Sequence, residues 1–327
     1  MPKASIGIIV RNEKKEISSL LDSVLSQDFP DYEIIVVDGS STDGTAEILK
    51  KYSLAHRKIR VFESSLGRRG SDRNLAAEKA RSSILCFIDP GAKPSKKWLS
   101  ELVSEFEKQR KKYPKLAGMG GKTTFIRDTF AKKIIYPLLA SPIGSGGSMQ
   151  VNENSSSFHL VDSFPNCNGV YLRAVILKEK YSTLKGGEDF EFNRRLVKKG
   201  YLLGLSEKAG ITHNYIDSFG DFERKMKSYG EMQIRSMKNS GDFRWYVPAV
   251  FFYGIYHVIA LVLLFFGVSW PILLSIYSQI IFFLFFGIIY SIKKKNAAFL
   301  LSFLFYPLQY FTYFAGIMKA LFIYRKL

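Results

Sequence analysis

The stretch SIGIIVRNEKKEISSLLDSVLSQDFPDYEIIVVDGSSTDGT, residues 5 to 45, decides the fold. Ser5 to Val10 is a short apolar run with no polar alternation, which reads as a strand buried on both faces. Ile17, Leu20, Leu21, Val24 and Leu25 then recur at helical spacing and define one apolar face. Glu33 to Asp38 is a second strand, closed by a Gly/Ser turn at Gly39 and Ser40. Strand, amphipathic helix, strand is the repeating unit of a parallel α/β sheet.

The alternation continues downstream. A helix through Ile48 and Leu49 precedes a strand Ile59 to Phe62; a helix through Leu75, Ala76 and Ala80 precedes a strand Ile84 to Asp89. A further helix carries Leu99, Leu102, Val103 and Phe106 on one face. After Gly118 the pattern weakens, and Ser141 to Ser157, rich in Gly, Ser and Asn, reads as a long mobile loop. Phe190 to Lys199 reads as a helix stopped by Gly200, and Phe222 to Lys238 as a basic helical segment suited to a membrane interface.

Composition changes sharply near residue 245. From Trp245 to the end there is no Asp or Glu, and Phe, Leu, Ile, Val and Tyr dominate. Three apolar stretches, about Val247 to Phe266, Pro271 to Ile292 and Ala297 to Tyr324, each approach the roughly 20 residues a helix needs to cross a bilayer. Pro307 and Lys319 interrupt the third, so two to three spanning helices are expected. Lys293, Lys294 and Lys295 lie between the last two; the positive-inside rule places them in the cytoplasm and makes the first two spans a hairpin. His257, inside the first span, reads as a packing residue. The expected division is 1–221 for an α/β domain, 222–245 for a basic interfacial segment and 246–327 for the membrane region.

The net charge of +18 raises nucleic acid as a partner, but no nucleic-acid-binding motif accompanies it. Arg224, Lys225, Lys227, Arg235, Lys238 and Arg244 crowd the approach to the first span, where anionic lipid is the competing partner. The two cysteines, Cys86 in an apolar run and Cys167 in a polar turn, suggest neither a disulfide nor a metal framework and fit a reducing compartment. The N-terminus runs almost directly into a strand, so no cleavable signal peptide is expected. A dehydrogenase-type dinucleotide site is excluded, because the first strand leads into Arg11, Asn12 and Glu13 in place of a Gly-rich turn.

The order of motifs resembles family 2 glycosyltransferases of the GT-A fold, over residues 4 to about 235. The opening block looks like that family's first two strands. "GRRGSDRNLAAEKARSSILCFIDPGAKPSKKWL" resembles its next block and "LKGGEDFEFNRRLVKKG" its x-E-D motif. The resemblance implies a GT-A domain with a mostly parallel sheet, followed by C-terminal transmembrane helices. It implies a nucleotide-sugar site at Arg11, Glu13, Asp38, Arg73 and Asp89, with Arg73 and Asn74 opening a helix that approaches the nucleotide. Asp38 at a strand's carboxyl end suits a base-binding acceptor, although with Gly39, Ser40 and Asp43 it also suits a turn. Arg68 and Arg69 are either partners of a diphosphate or a solvated basic face.

Asp89 falls where the family carries D-x-D, but Asp89-Pro90-Gly91 lacks the second carboxylate. Mg²⁺ or Mn²⁺ is therefore an expectation resting on Asp89 and on His213 in "GITHNY", which resembles a metal-ligating histidine of this fold. Asp189 is the implied general base, and Glu188 either orients the site or is a solvated acid; the position of Asp189 also suits an N-cap for the helix that Gly200 ends. The segment Gly121 to Asn168, with "SPIGSGG" and "VDSFPNCNGVYLR", looks like the membrane-associated succinoglycan-biosynthesis type. Of the processive synthases' Q-x-x-R-W, Gly241 to Trp245 keeps Arg244 and Trp245 alone, which favours transfer of single sugars.

The expected activity is inverting transfer from a UDP- or GDP-linked sugar to a lipid-linked acceptor. The expected location is the cell membrane, multi-pass, with the catalytic domain cytoplasmic and no nucleic-acid partner. The competing classes are a non-catalytic nucleotide-sugar-binding subunit of an envelope assembly and a processive polysaccharide synthase.

Overall fold

A computed structural model of the chain describes residues 1–141, 144, 158–184, 186–241, 244 and 246–323. The chain divides into two compact units, Met1–Phe125 with Asn152–Tyr215, and Ile126–Val151 with Ile216–Leu327. The loop expected from Ser141 to Ser157 lies, apart from Ser141 and Gly144, outside the described residues.

In the first unit the elements are β1 (Ala4–Val10), α1 (Ile17–Leu25), β2 (Tyr32–Asp38), α2 (Thr45–Ala55), β3 (Ile59–Glu63), α3 (Arg69–Lys79), β4 (Ile84–Ile88), β5 (Ala92–Pro94), α4 (Trp98–Lys112), β6 (Leu116–Gly120) and β7 (Thr123–Phe125). The second unit opens with α5 (Phe130–Ala140), and the first resumes with β8 (His159–Leu160), β9 (Asn168–Leu172), α6 (Arg173–Glu179), α7 (Glu188–Lys198), β10 (Leu202–Leu205) and β11 (Ile211–His213).

The main sheet runs β3-β2-β1-β4-β9-β6-β10-β8. β1 pairs in parallel with β2 and β4, and β2 with β3. β9 runs antiparallel to both β4 and β6. The central β1 and β2 are buried along their whole length, as their unbroken apolar runs require. Ile17, Leu20, Leu21 and Val24 of α1 are buried against the sheet, each contributing roughly 1.5–3 kcal/mol of hydrophobic stabilisation. The chain turns back between β1 and β4, and at that reversal the carboxyl ends of the parallel strands open a crevice, the usual ligand position in such sheets. A second sheet, β5-β11-β7, sets β11 between β5 and β7 and brings the residue 213 end of β11 beside the turn that follows β4.

The second unit is helical: α5, α8 (Phe219–Ser240), α9 (Tyr246–Phe265), α10 (Trp270–Lys294), α11 (Ala298–Ser302) and α12 (Tyr306–Ile323), with a 3₁₀ turn Phe303–Phe305 joining the last two. Three stretches are long and apolar enough to cross a membrane, Tyr246–Phe265, Trp270–Lys294 and Ala298–Ile323. The third is broken next to Pro307, where a helix interior cannot complete its hydrogen bonds. Helix α5 groups with these C-terminal helices although it precedes three of the main sheet's eight strands. Its Ile134, Ile135, Tyr136 and Leu138 are buried, Ser302 donates to the Ile134 carbonyl at 2.9 Å, and the Ser141 and Tyr306 hydroxyls share a 2.6 Å hydrogen bond.

The basic segment is a full helix that packs on protein. Phe222, Met226 and Ile234 of α8 are buried, four and eight residues apart, and with Gly230 they form one stripe, while Arg224, Lys227 and Lys238 point outward. The stripe crosses α12 at two glycines. A Cβ on Gly230 would lie 2.1 Å from the Tyr313 carbonyl oxygen, and one on Gly316 2.0 Å from that of Lys227. Close to this crossing Lys319 meets Glu231 at 2.6 Å, and Glu231 also holds Arg235 at 3.1 Å. The lysine that interrupts the third apolar stretch is therefore paired within protein.

His257 likewise has a structural role. Its Nδ1 donates to the Tyr253 carbonyl at 2.8 Å, leaving Nε2 to accept from Ser275 and, at 2.6 Å, from Gln279. These bonds join α9 to α10, and each polar group meets a partner inside the bundle.

Replacing Gly316 by Leu should lower the thermal transition of the detergent-purified protein, since forcing side-chain volume into a packed crossing costs about 1–3 kcal/mol or more. Gly220→Ala on α8, whose new Cβ would meet Ser218 Oγ at 3.9 Å, should leave the transition unchanged. Equal transitions for the two variants would contradict the crossing.

Candidate active site

Three loops converge at the carboxyl ends of β1, β2 and β3. The loop after β1 is bonded to the loop after β2 through Asn12 N to Ser41 Oγ at 2.9 Å, Thr42 N to Asn12 Oδ1 at 2.8 Å and Glu13 N to Thr45 Oγ1 at 2.9 Å. Ser40 Oγ donates to the Ser64 carbonyl at 2.9 Å and Arg11 Nη1 to that of Gly67 at 3.2 Å, which brings in the loop after β3.

Asp38, 5% exposed, serves the turn through one oxygen: Oδ1 accepts from Ser41 N at 3.1 Å and Ser41 Oγ at 2.6 Å. The turn reading of this residue is thus realised, and it is compatible with a base-binding role for the rest of the carboxylate. Asp43 is wholly engaged in local structure, bonded to Thr45 and Lys14. Arg11 is exposed at the crevice. Burial raises the Glu13 carboxyl, opposed by Arg69 and reinforced by Asp89, which puts Glu13 within electrostatic reach of both.

Arg73, on α3, is a charged group only 2% exposed. Its Nη1 pairs with Glu188, itself 3% exposed, and its Nη2 lies 3.5 Å from Asp89 Oδ1. The guanidinium carbon stands 5.7 Å from the ring centroid of Phe87 and 5.8 Å from that of Tyr181, which wall it off from water. Burial works against its charge, but Glu188 and Asp89 outweigh that and raise its pKa. The sequence placed Arg73 on the donor. Here its guanidinium is occupied inside the protein and faces the crevice through its two carboxylates.

Asp189 lies beside this pair in the first turn of α7. The helix starts at Glu188 with Gly187 as its N-cap at φ 72°, so the N-cap reading of Asp189 is corrected. A backbone turn in the left-handed region, which glycine adopts without strain, begins the helix two residues earlier than the apolar periodicity suggested. Asp189 Oδ1 instead accepts from the Phe190 amide at 2.8 Å. Burial, then the neighbouring Glu188 charge, push its carboxyl from 3.8 up to about 6 against the pull of Arg73.

His213, 6% exposed, ends β11 across from Ala92 and borders the turn after Asp89. Its Nε2 would lie 4.0 Å from a Cβ on Gly91, and Asn214 N donates to the Gly91 carbonyl at 3.1 Å. Asp89 and His213 therefore flank one turn. Among the described residues no three His, Cys, Asp or Glu side chains converge as a metal set. One carboxylate and one imidazole suit Mg²⁺ or Mn²⁺ where substrate oxygens complete the shell.

Two members of the site were not singled out from sequence. Asp72 is 2% exposed, with burial raising its carboxyl against hydrogen bonds from Ser64 and Ser71, and its Oδ2 lies 3.1 Å from where a Gly39 Cβ would stand. Cys167 follows from strand register. Ile88 pairs with Asn168 in the antiparallel β4–β9 ladder, so Cys167, one residue on, stands level with Asp89. Its neighbours are locked: Asn168 bonds Trp98 Nε1 at 2.8 Å and the Lys122 and Ala209 carbonyls, and Asn166 bonds Tyr171 and Tyr181. Burial, then Asp89 and Asp189, raise the Cys167 thiol.

The family described as Glycosyl transferase family 2 matches residues 5–145. A curated relative, glycosyltransferase AglE of Haloferax volcanii, is 36% identical over 72% of this chain and 74% of its own length. The dolichyl N-acetyl-alpha-D-glucosaminyl phosphate 3-beta-D-2,3-diacetamido-2,3-dideoxy-beta-D-glucuronosyltransferase of Methanococcus voltae is 26% identical over 80% of this chain and 83% of its own. Among solved structures, the mannosyltransferase PcManGT from Pyrobaculum calidifontis, in complex with GDP-Man and Mn2+, superposes with a TM-score of 0.58 at 16% identity, covering 98% of this chain and 88% of that one. That likeness concerns the fold.

A thiol reagent applied to the native protein should modify Cys167 alone and slowly, because its thiol is partly open but raised, whereas Cys86 is 0% exposed in β4. Titration with and without denaturant checks this; two fast-reacting thiols in the native state would contradict it.

Proposed function

The chain belongs to glycosyl transferase family 2, and from that premise we propose that it moves one sugar from a UDP- or GDP-linked donor to a lipid-linked acceptor at the cytoplasmic face of the cell membrane, with inversion at the anomeric carbon. The observation that carries this reading is Asp189, a carboxylate raised to about 6 at the head of a helix, beside Asp89 and the buried Arg73–Glu188 pair.

The donor's base occupies the crevice lined by Arg11, Glu13 and Asp38. Its diphosphate lies toward the N-terminus of α3, where unpaired helix amides and the exposed Arg68 and Arg69 supply positive potential. Asp89 and His213 would hold a divalent cation, which neutralises diphosphate charge when bound. Asp189 takes the proton from the acceptor hydroxyl as that oxygen attacks the anomeric carbon. The bond from that carbon to the diphosphate oxygen breaks, and the nucleoside diphosphate departs on the opposite face. Arg73 holds Glu188 in a buried ion pair, so that Asp189 is the carboxylate left to take a proton.

The acceptor class is supported by the three long apolar helices and by the outward Arg224, Lys227 and Lys238 of α8, which suit the phosphate of a lipid carrier. The M. voltae relative carries dolichyl N-acetyl-glucosaminyl phosphate in its name, which favours the same class. Transfer of single sugars is favoured over processive synthesis by the missing glutamine before Arg244. Cytoplasmic Lys293 to Lys295 follow from the charge rule.

The test is the pH dependence of transfer beside the Asp189→Asn variant. The acid form of Asp189 cannot accept a proton, so kcat/KM should be half-maximal at an apparent pKa near 6, approach its plateau about a unit above that, and fall as pH drops below it. Asn keeps the oxygen that accepts from Phe190, so fold and nucleotide affinity should persist while the rate falls about 100-fold to 10,000-fold. A variant within a few-fold of wild type would return Asp189 to a structural role.

A further inference from the structure

Asn74 directly follows Arg73 on α3, and both ends of its side-chain amide are taken up by one residue. Its Nδ2 donates to the Tyr181 carbonyl at 2.9 Å and its Oδ1 accepts from the Tyr181 amide at 2.8 Å. The side chain thus imitates a neighbouring strand and grips both polar groups of one residue. Two further contacts join the same surfaces. Arg68 Nη1 donates to the Thr183 carbonyl at 2.8 Å, and Gly70 meets the Ser182 backbone so closely that a Cβ there would lie 1.9 Å from the Ser182 carbonyl oxygen.

The gripped residue leads to the base. The Tyr181 ring, 3% exposed, stacks on Phe192 of α7 with centroids 3.9 Å apart, and its hydroxyl accepts from Asn166 at 3.1 Å. Phe192 lies three residues beyond Asp189 in the same helix. Adjacent residues of α3 therefore hold α7 by separate routes, Arg73 through Glu188 and Asn74 through Tyr181. Directly ahead of α7, Gly186 at φ 91° and Gly187 at φ 72° carry no side chain to fix the backbone, so the Arg73 and Asn74 contacts bear on where Asp189 stands.

We propose that Asn74 is a positioning residue coupling the donor helix α3 to the base: through Tyr181 it sets where Asp189 stands relative to a donor held at the N-terminus of α3. This rests on Asp189 being the base and α3 the donor helix. The resemblance had Arg73 and Asn74 opening a helix that approaches the nucleotide; the helix opens at Arg69 instead, and Asn74, one turn in, bonds the Tyr181 backbone.

The Tyr181 amide, bonded to Asn74, reports the coupling by hydrogen exchange. In the wild-type protein saturating UDP or GDP should slow its exchange several-fold, and no change with either nucleotide bound would overturn the proposal without any variant. Asn74→Asp keeps the acceptor for the Tyr181 amide but sets a carboxylate against its carbonyl. It should leave nucleotide affinity within about 3-fold, abolish the nucleotide-dependent slowing and lower kcat about 10-fold to 100-fold, the scale of a 1 Å misplacement. Loss of nucleotide binding in a folded Asn74→Asp protein would assign Asn74 to the donor site and overturn it. Unchanged kcat alongside lost slowing would overturn the positioning role. Should Asp189→Asn prove active, the reading of the base fails, while the exchange experiment still decides whether α3 and the Tyr181 backbone are coupled.

Discussion

A single guanidinium, sealed under two aromatic rings, holds the candidate site together. Arg73 is 2% exposed and meets Glu188 and Asp89 from its two terminal nitrogens. A buried charge is tolerable only when paired, and removing one partner from such a pair typically costs about 3–5 kcal/mol. The pairing ties three separate parts of the chain: α3, the end of β4 and the head of α7. It also divides the labour among three acids. Glu188 is committed to Arg73, Asp89 is held at the rim, and Asp189 is left with a carboxyl raised by burial and by its neighbour's charge.

The helical unit obeys the same rule. A polar group among apolar helices must find its partner within protein. His257 does so through Tyr253, Ser275 and Gln279, and Lys319 through Glu231. The glycine crossing of α8 and α12 brings backbones close enough for the Lys319 pair to form. The basic helix thus has two distinct faces: its Phe222, Met226 and Ile234 stripe packs on protein, and Arg224, Lys227 and Lys238 lie on the exposed side.

The first half of the sheet was legible because each element carries its own periodicity. β1, α1, β2, β3, α3 and β4 appear within a residue or a few of the apolar runs that announce them. The burial of Arg73 was not read from the sequence, although it shares a helical face with Ala76, Ala77 and Ala80, all in the core. The later strands were not readable. β5, β7 and β11 are three residues each, too short for alternation to register, and they exist through partners far away in sequence. Helix α5 was hidden by Lys132, Lys133 and Pro137 in its sequence; Lys132 is buried only because Asp128 and Asp217 meet it. At the site, sequence supplied residue types and structure supplied directions, so Asn74 points to Tyr181 and Cys167 emerges level with Asp89 through strand register.

The central claim, one carboxylate acting as base while the nucleoside diphosphate leaves from the opposite face, fixes the stereochemistry of the product. The most direct measurement is the anomeric configuration of the transferred sugar, read by proton NMR from the coupling of its anomeric hydrogen, with the donor taken from a panel of UDP- and GDP-sugars. The account predicts a product of configuration opposite to the donor's, at every donor accepted. A product that retains the donor's configuration would require a second displacement or a same-face attack, and would contradict the role assigned to Asp189.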